Sequence, residues 1–285
     1  MAEAAFGRPS LAPMSRYRFA LRPRWILSHL FVLVMLVAMI AAGFWQLDRL
    51  QQRRDRNAEI VARSERPAAD VRDLGADAGY ASTDAAARFE FRRATATGTY
   101  LADDEVLAGQ PSRGGDPGSW VLTPLRLDDG TIVAVNRGWI PNGGRYDSVP
   151  DQYRAPSGEV TVSGLVRRSE ARGLIGRTDP AEGTLEVLAR LDVVRLDQQV
   201  DGDLLPFYLQ LQEQVPAVGD DDPVPMEPPE LGEGPHLSYA IQWFTFSTLT
   251  VVVYALILRK KAADLERGDD LAVSGPPEPD PIPAP

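Results

Sequence analysis

The chain has 285 residues, room for one or two domains. Apolar residues make up 44% and mean hydropathy is -0.20, which excludes a polytopic transporter; the apolar residues are concentrated in particular stretches instead. A net charge of -10 and a pI near 4.8 argue against nucleic acid as a partner, since phosphate binding needs a basic face. The absence of cysteine excludes disulfides, thiolate zinc or copper sites and cysteine-held iron–sulfur clusters.

Residues 1–24 carry prolines, alanines and arginines with a single acid, Glu3. The first apolar run, Trp25 to Trp45, has about the ~20 residues a helix needs to cross hydrocarbon. It is longer than the ~7–15 residues usual in the apolar part of a signal peptide, so the expectation is a retained anchor. Ala38 and Ala42, at i,i+4, either admit a second helix or merely fill a lipid-facing surface. Residues 46–66 mix Leu47, Leu50, Ile60 and Val61 with arginines and acids, which predicts a juxtamembrane continuation of the helix, ended by Pro67. Ala68 to Ala87, rich in Ala, Asp and Gly, reads as a loop.

The period then changes from helical to alternating. Strands are expected at Ala94 to Tyr100, Glu105 to Gly109, Glu159 to Arg168 and Leu204 to Val215. The strongest hairpin is Trp120 to Leu127 and Thr131 to Ile140, joined at Asp128-Asp129-Gly130. Pro124 demotes the first arm to an edge or a bulged position, and Asp192 starts a short helix. Several short strands separated by turns imply a mainly antiparallel β domain, sandwich or small barrel, over residues 67–215. Residues 216–235 form an acidic, Pro-rich connector without periodicity.

A second apolar run, 236–258, opens at His236 and stops at Arg259-Lys260-Lys261. The rest, 259–285, is a basic flank and a Pro-rich tail, disordered by composition. Arginines flank both sides of the first span, so the second decides the topology: its leading flank has no Lys or Arg, and its trailing flank has three. The positive-inside rule therefore puts both termini in the cytoplasm and the β domain outside.

The only lysines are Lys260 and Lys261 and the only histidines are His29 and His236. A Ser-Lys dyad has no lysine in the outer domain, and a histidine base has only His236, at the membrane mouth. No His-Glu-x-x-His or Gly-x-Ser-x-Gly stretch occurs, and the acid pairs, such as Asp103-Asp104, Asp128-Asp129 and Asp220-Asp221-Asp222, sit in turns or linkers. The expectation is a protein that is not an enzyme.

His236 is the one candidate ligand, since histidine is a common axial ligand of haem iron. Tyr239, Ala240 and Trp243 follow at i+3, i+4 and i+7, on the same helical face. The competing reading is an interfacial histidine that caps the helix or meets water. His29 enters near the other end of the first span, about 30 Å of bilayer away, so the two cannot share one iron in a monomer. Arg49 and Arg53, just outside that span, suit anionic groups such as propionates, or lipid phosphates reached by snorkelling.

Three stretches together resemble the Surfeit locus protein 1 family of cytochrome c oxidase assembly factors. They are Gly43-Phe44-Trp45-Gln46-Leu47-Asp48-Arg49, similar to that family's G-x-W-Q-L-x-R; Val135-Asn136-Arg137-Gly138-Trp139-Ile140-Pro141, similar to V-N-R-G-W-x-P; and His236-Leu237-Ser238-Tyr239-Ala240-Ile241-Gln242-Trp243-Phe244, similar to H-L-x-Y-A-x-x-W-F. The likeness covers about Gly43 to Leu258. It implies a membrane helper for maturation of the oxidase's haem-bearing core subunit, subunit I, acting with other assembly factors by holding or delivering haem a. By analogy His236 is the iron ligand; Tyr239 and Trp243 on its helical face, and Arg49 just outside the first span, are the further candidate haem contacts from their positions. The expected location is a cell membrane rather than a mitochondrial inner membrane. For the middle stretch the residues suggest a bulge or bend at Gly138, a core Trp139 and a paired Arg137. The alternative function is a membrane-tethered scaffold that binds a protein partner and no haem.

Overall fold

A computed structural model describes residues 17–78, 83–171, 176–217, 219 and 223–273. The Pro-rich tail 276–285 and Asp220-Asp221-Asp222 of the connector lie outside the described residues. In chain order come α1 (Pro23–Ser64), β1 (Ala69–Asp70), α2 (Val71–Ala78), α3 (Thr83–Ala86), β2 (Arg93–Tyr100), β3 (Val106–Ala108), β4 (Ser112–Arg113), β5 (Asp116–Leu127) and β6 (Ile132–Pro141). They are followed by β7 (Glu159–Arg168), β8 (Val187–Leu188), α4 (Val193–Asp197), β9 (Leu204–Val215) and α5 (His236–Val273). The chain divides into two compact units. One takes the chain up to Asp55 and again from Gly232; the other is Arg56–Leu231.

The first unit is an antiparallel helix pair. α1 opens with proline at its first position, where the missing N–H costs no hydrogen bond. Both helices are long and apolar enough to cross a membrane, and only 11% and 6% of their apolar windows are buried. Core helices of a soluble protein would be mostly covered, so these are candidate membrane spans. The face of α1 that meets α5 carries Met39 and Gly43, against Ala240 and Ser247. At Gly43 a Cβ would lie 2.7 Å from the Phe244 ring, so any larger residue would have to displace that ring. Ala38, by contrast, is exposed, so the close approach is made at Gly43 and not through the Ala38–Ala42 pair. Small residues permit contact only on the face that the partner occupies.

The second unit is a β domain. Strands β2, β7, β9, β6 and β5 pair in that order, and β5 pairs back to β2, closing a five-stranded barrel. All these pairs are antiparallel except β6 with β9. The interior holds alternate residues of each strand: Val133 and Val135 from β6, Leu205, Phe207 and Leu209 from β9, Val160 and Val162 from β7. The opposite faces of β6 and β9 are also covered. Ile132, Ala134 and Tyr208 pack with Leu188, Leu191 and Leu196 in a second cluster. Covering on both sides explains why these two strands read as nearly continuous apolar runs.

Pro124 is neither at an edge nor at the bulge. β5 pairs with β2 through Leu125–Leu127 and with β3 through Trp120–Leu122, and Pro124 falls in the gap between those neighbours. On the other side it faces Ala134 of β6. A residue with no N–H fits where one partner strand hands over to the next.

Two segments differ from their expected character. Residues 71–78 form helix α2 instead of a loop. Val71, Leu74, Gly75 and Ala78 are buried, a 3–4 spacing that packs on the barrel interior, and the Asp70 carboxylate accepts from the Arg72 backbone N–H at 2.8 Å at its start. The connector is likewise stitched to the barrel. Val224 and Trp139 exchange backbone hydrogen bonds of 2.7 and 2.8 Å, and the Gln210 side chain donates to the carbonyls of Met226 and Glu227.

Candidate functional site

His236 begins α5 and is half-buried. Its Nδ1 lies 2.8 Å from Oε1 of Gln46 on α1. A carboxamide oxygen only accepts, so Nδ1 is the donor of this contact, and in the neutral ring Nε2 is then the nitrogen with the free lone pair. Gly234, at φ 70°, stands beside that nitrogen; a Cβ there would lie 3.5 Å from Nε2 and occupy the space next to it. The ring is thus held from one side and open on the other. A haem iron needs an oriented imidazole, and an acceptor behind the ring, as Gln46 is here, fixes the tautomer of metal-binding histidines. His236 fits the group.

The other expected site residues fall differently around it. Ala240 is buried at the helix contact and Trp243 is half-buried, its ring 6.4 Å from that of Phe246. Tyr239 is 47% exposed and turned out of the contact, although the helical spacing grouped it with His236. At i+3 it is about 60° around the helix, enough to leave a narrow seam. Arg49 lies one turn beyond Gln46 on α1. Its guanidinium stacks on Trp45 at 5.5 Å and donates to Gln52 at 2.8 Å. Gln46 is the residue that sequence reasoning did not single out. The signal was its place inside the quoted Gly43–Arg49 stretch.

His29 is engaged elsewhere. The Tyr254 hydroxyl meets His29 Nδ1 at 2.7 Å and Ser28 Oγ at 2.6 Å, and His29 Nε2 faces the Ala20 carbonyl at 3.2 Å. The 17 residues of α1 from His29 to Gln46 rise about 25 Å, so the two histidines sit at opposite ends of the pair.

The Val135–Pro141 stretch is used by the fold. Gly138, at φ 143°, sits at the register shift opposite Val121 and Leu122, and a Cβ there would lie 2.4 Å from the Val224 carbonyl oxygen. The Asn136 carboxamide accepts from the Gly138 N–H at 3.1 Å, spanning the bulge. Trp139 is buried, and its indole N–H points to the Pro111 carbonyl at 3.4 Å. Arg137 is buried 3.6 Å from the Glu105 carboxylate and donates to the Tyr153 carbonyl at 2.8 Å. Glu105 Oε2 also accepts from Thr123 Oγ1 at 3.1 Å and from the Ala155 N–H at 3.3 Å. Burial pushes the Glu105 carboxyl above the usual carboxylate range, opposed by Arg137 and these hydrogen bonds. Charges this deep are held by pairing, and this network specifies how β3, β5 and β6 meet.

Comparison with known proteins finds relatives over most of the chain. An uncharacterized SURF1-like protein of Mycobacterium tuberculosis is 30% identical over 242 residues, covering 84% of this chain and 85% of that one. A SURF1-like protein of Rickettsia bellii is 26% identical over 244 residues, 81% of this chain and 90% of the relative. One from Monosiga brevicollis is 26% identical over 239 residues, 79% and 85%. The sequence pattern described as the SURF1 family matches residues 33–248, most of the chain. The chain belongs to the SURF1 family.

Proposed function

We propose that this protein is an assembly factor for cytochrome c oxidase that holds haem a transiently and passes it to, or matures, the haem-bearing core subunit. Family membership supports the assembly role. The observation that carries the haem-binding part is the 2.8 Å contact between His236 and Gln46, which leaves Nε2 free to ligate.

When bound, haem a would supply an iron that takes an imidazole nitrogen and propionates that need cationic partners. His236 Nε2 would hold the iron, with Gln46 orienting the ring from its Nδ1 side. Trp243 offers aromatic surface beside it, and Tyr239, facing outward, offers a second ring to a flat ligand that approaches from the lipid. Arg49 is set by Trp45 and Gln52 to meet an anionic group at the headgroup level. None of these residues moves a proton or attacks a bond, so the protein acts as a binding chaperone and not as a catalyst. Its partners in this reading are oxidase subunit I and other assembly factors, in a cell membrane with both termini cytoplasmic.

The test is expression of the full chain together with haem a synthesis, followed by purification in detergent. The protein should carry an a-type absorption spectrum that His236→Ala largely abolishes. Equal haem content in wild type and mutant would remove the ligand assignment. A normal a-type oxidase signal in membranes of a deletion strain would remove the assembly role itself.

A further inference from the structure

The other end of the helix pair carries an organised group of features that the haem reading does not use. Tyr254 binds Ser28 and His29 and so sets the register of α5 against α1. From that level, Arg22 and Arg24 lie four to six residues toward the start of α1, and Arg259, Lys260 and Lys261 lie five to seven residues further along α5. At 1.5 Å per residue both sets fall roughly 6–10 Å beyond the clamp, at one depth. Trp25 stands there too, edge-on to Phe19 at 5.0 Å, an aromatic pair of the kind that marks the headgroup level.

Among the described residues these cations have no ion-paired acid, the nearest one in sequence, Asp264, being engaged by Arg267. No acid occurs between Tyr17 and Leu47 of the first run, nor from His236 to Ala263 of the second. Among the described residues none of the five makes an ion pair or a side-chain hydrogen bond, whereas Arg267 beyond them is held by Asp264 and Arg54 at the other end by Glu233. An apolar groove of 490 Å³ runs up the helix pair from this level, lined by Val32, Met39, Phe246, Leu249, Val253 and Ile257. Its two polar residues are satisfied internally: Thr250 Oγ1 donates to the Phe246 carbonyl at 2.8 Å, and the Tyr254 hydroxyl is in the clamp. Val253, Ile257, Lys260 and Lys261 are spaced i, i+4, i+7 and i+8, so the groove and the lysines share one face. Arg24 lies two turns before Val32 on the facing helix.

We propose that this is a binding site for an anionic phospholipid, whose acyl chain lies in the Val32–Ile257 groove and whose phosphate is held by Arg24, Lys260 and Lys261. The groove's wall is hydrocarbon and its mouth is cationic, which matches the two ends of that ligand and of no water-soluble anion. A neutral lipid would fill the groove and gain nothing at the mouth.

The full chain, reconstituted in phosphatidylcholine vesicles, is probed by electron spin resonance with trace spin-labelled phosphatidylglycerol or phosphatidylcholine. The immobilised fraction should be larger for phosphatidylglycerol. The variant Arg24→Gln/Lys260→Gln/Lys261→Gln should bring it down to the phosphatidylcholine level, a loss of roughly tenfold or more in relative affinity. Lys260→Arg/Lys261→Arg should keep the preference, and Val253→Trp, which fills the groove, should lower the immobilised fraction of both lipids. Equal fractions of the two lipids in the wild type would overturn the proposal, including the case in which a second copy of the chain covers the groove and excludes both. So would a preference that survives in the triple variant, or one that millimolar inorganic phosphate abolishes, which would mark a free-anion site. Haem content is not read in this experiment, so its outcome is independent of the His236 assignment.

Discussion

Gln46 and His236, 190 residues apart in sequence, meet at 2.8 Å where the two long helices face each other. One residue comes from the stretch that closes the first apolar run and the other opens the second. Their contact makes a single feature of two short sequence likenesses.

If Gln46 orients the ring, its loss should weaken ligation without removing the ligand. Gln46→Leu is expected to lower haem affinity about 10- to 100-fold, the usual cost of losing the acceptor that orients a ligating histidine. Gln46→Glu keeps an acceptor and should retain binding. Titration of the purified full chain with haem, read by difference spectra, separates the two; equal affinities in Gln46→Leu and wild type would show that the contact has no such role.

The helices approach through Gly43. Gly43→Leu should push the Phe244 ring aside and separate α1 from α5, at a cost of about 1–3 kcal/mol as for other overpacked contacts. Denaturation in a detergent series, followed by tryptophan emission from Trp45 and Trp243, measures the shift. Ala38→Leu, on an exposed position of the same helix, should leave the midpoint unchanged.

Arg137→Ala leaves the buried Glu105 carboxylate with only Arg154, 3.9 Å away and half-exposed, as a cationic neighbour, and is expected to destabilise the β domain by about 3 kcal/mol. Removing both charges, as Arg137→Met/Glu105→Gln, should recover a large part of that loss, because the penalty lies in an unpaired buried charge. Chemical denaturation of the full chain gives the coupling energy, and additive losses would contradict the pairing.

The same carboxyl predicts a pH dependence. Burial raises the Glu105 pKa in the folded state, so the folded protein binds a proton more tightly there than the unfolded chain does. Its contribution to stability is therefore greatest at low pH and declines as pH rises from the ordinary glutamate value to the raised one. Asp70 works in the opposite direction. The Arg72 side chain lowers its pKa, so its stabilisation is present above the ordinary aspartate value and is lost as pH falls through the lowered one. Comparing stability profiles of wild type and Glu105→Gln isolates the first effect, and the substituted protein should lose the decline.

Much of this architecture is local information. Two apolar runs of spanning length, the short β-branched and apolar runs within Thr131 to Ile140 and Leu204 to Val215, and the Asp-Gly turn each report on their immediate neighbours, so the sequence by itself determined two long helices around a mainly antiparallel β domain. The reading of 68–87 as a loop failed because eight residues rich in Ala, Asp and Gly carry little apolar signal. The helix there depends on a barrel interior for Val71 and Leu74 to fill. The place of Pro124 depends on β2 and β3 sharing the flank of β5, and the role of the Val135–Pro141 stretch on Val224 docking against Trp139. Closure of the barrel, the burial of Glu105 against Arg137, and the choice of Gln46 as the partner of His236 were decided by tertiary structure alone. Each is a meeting of residues far apart in the chain, and no local pattern of period or composition records which distant group will lie opposite.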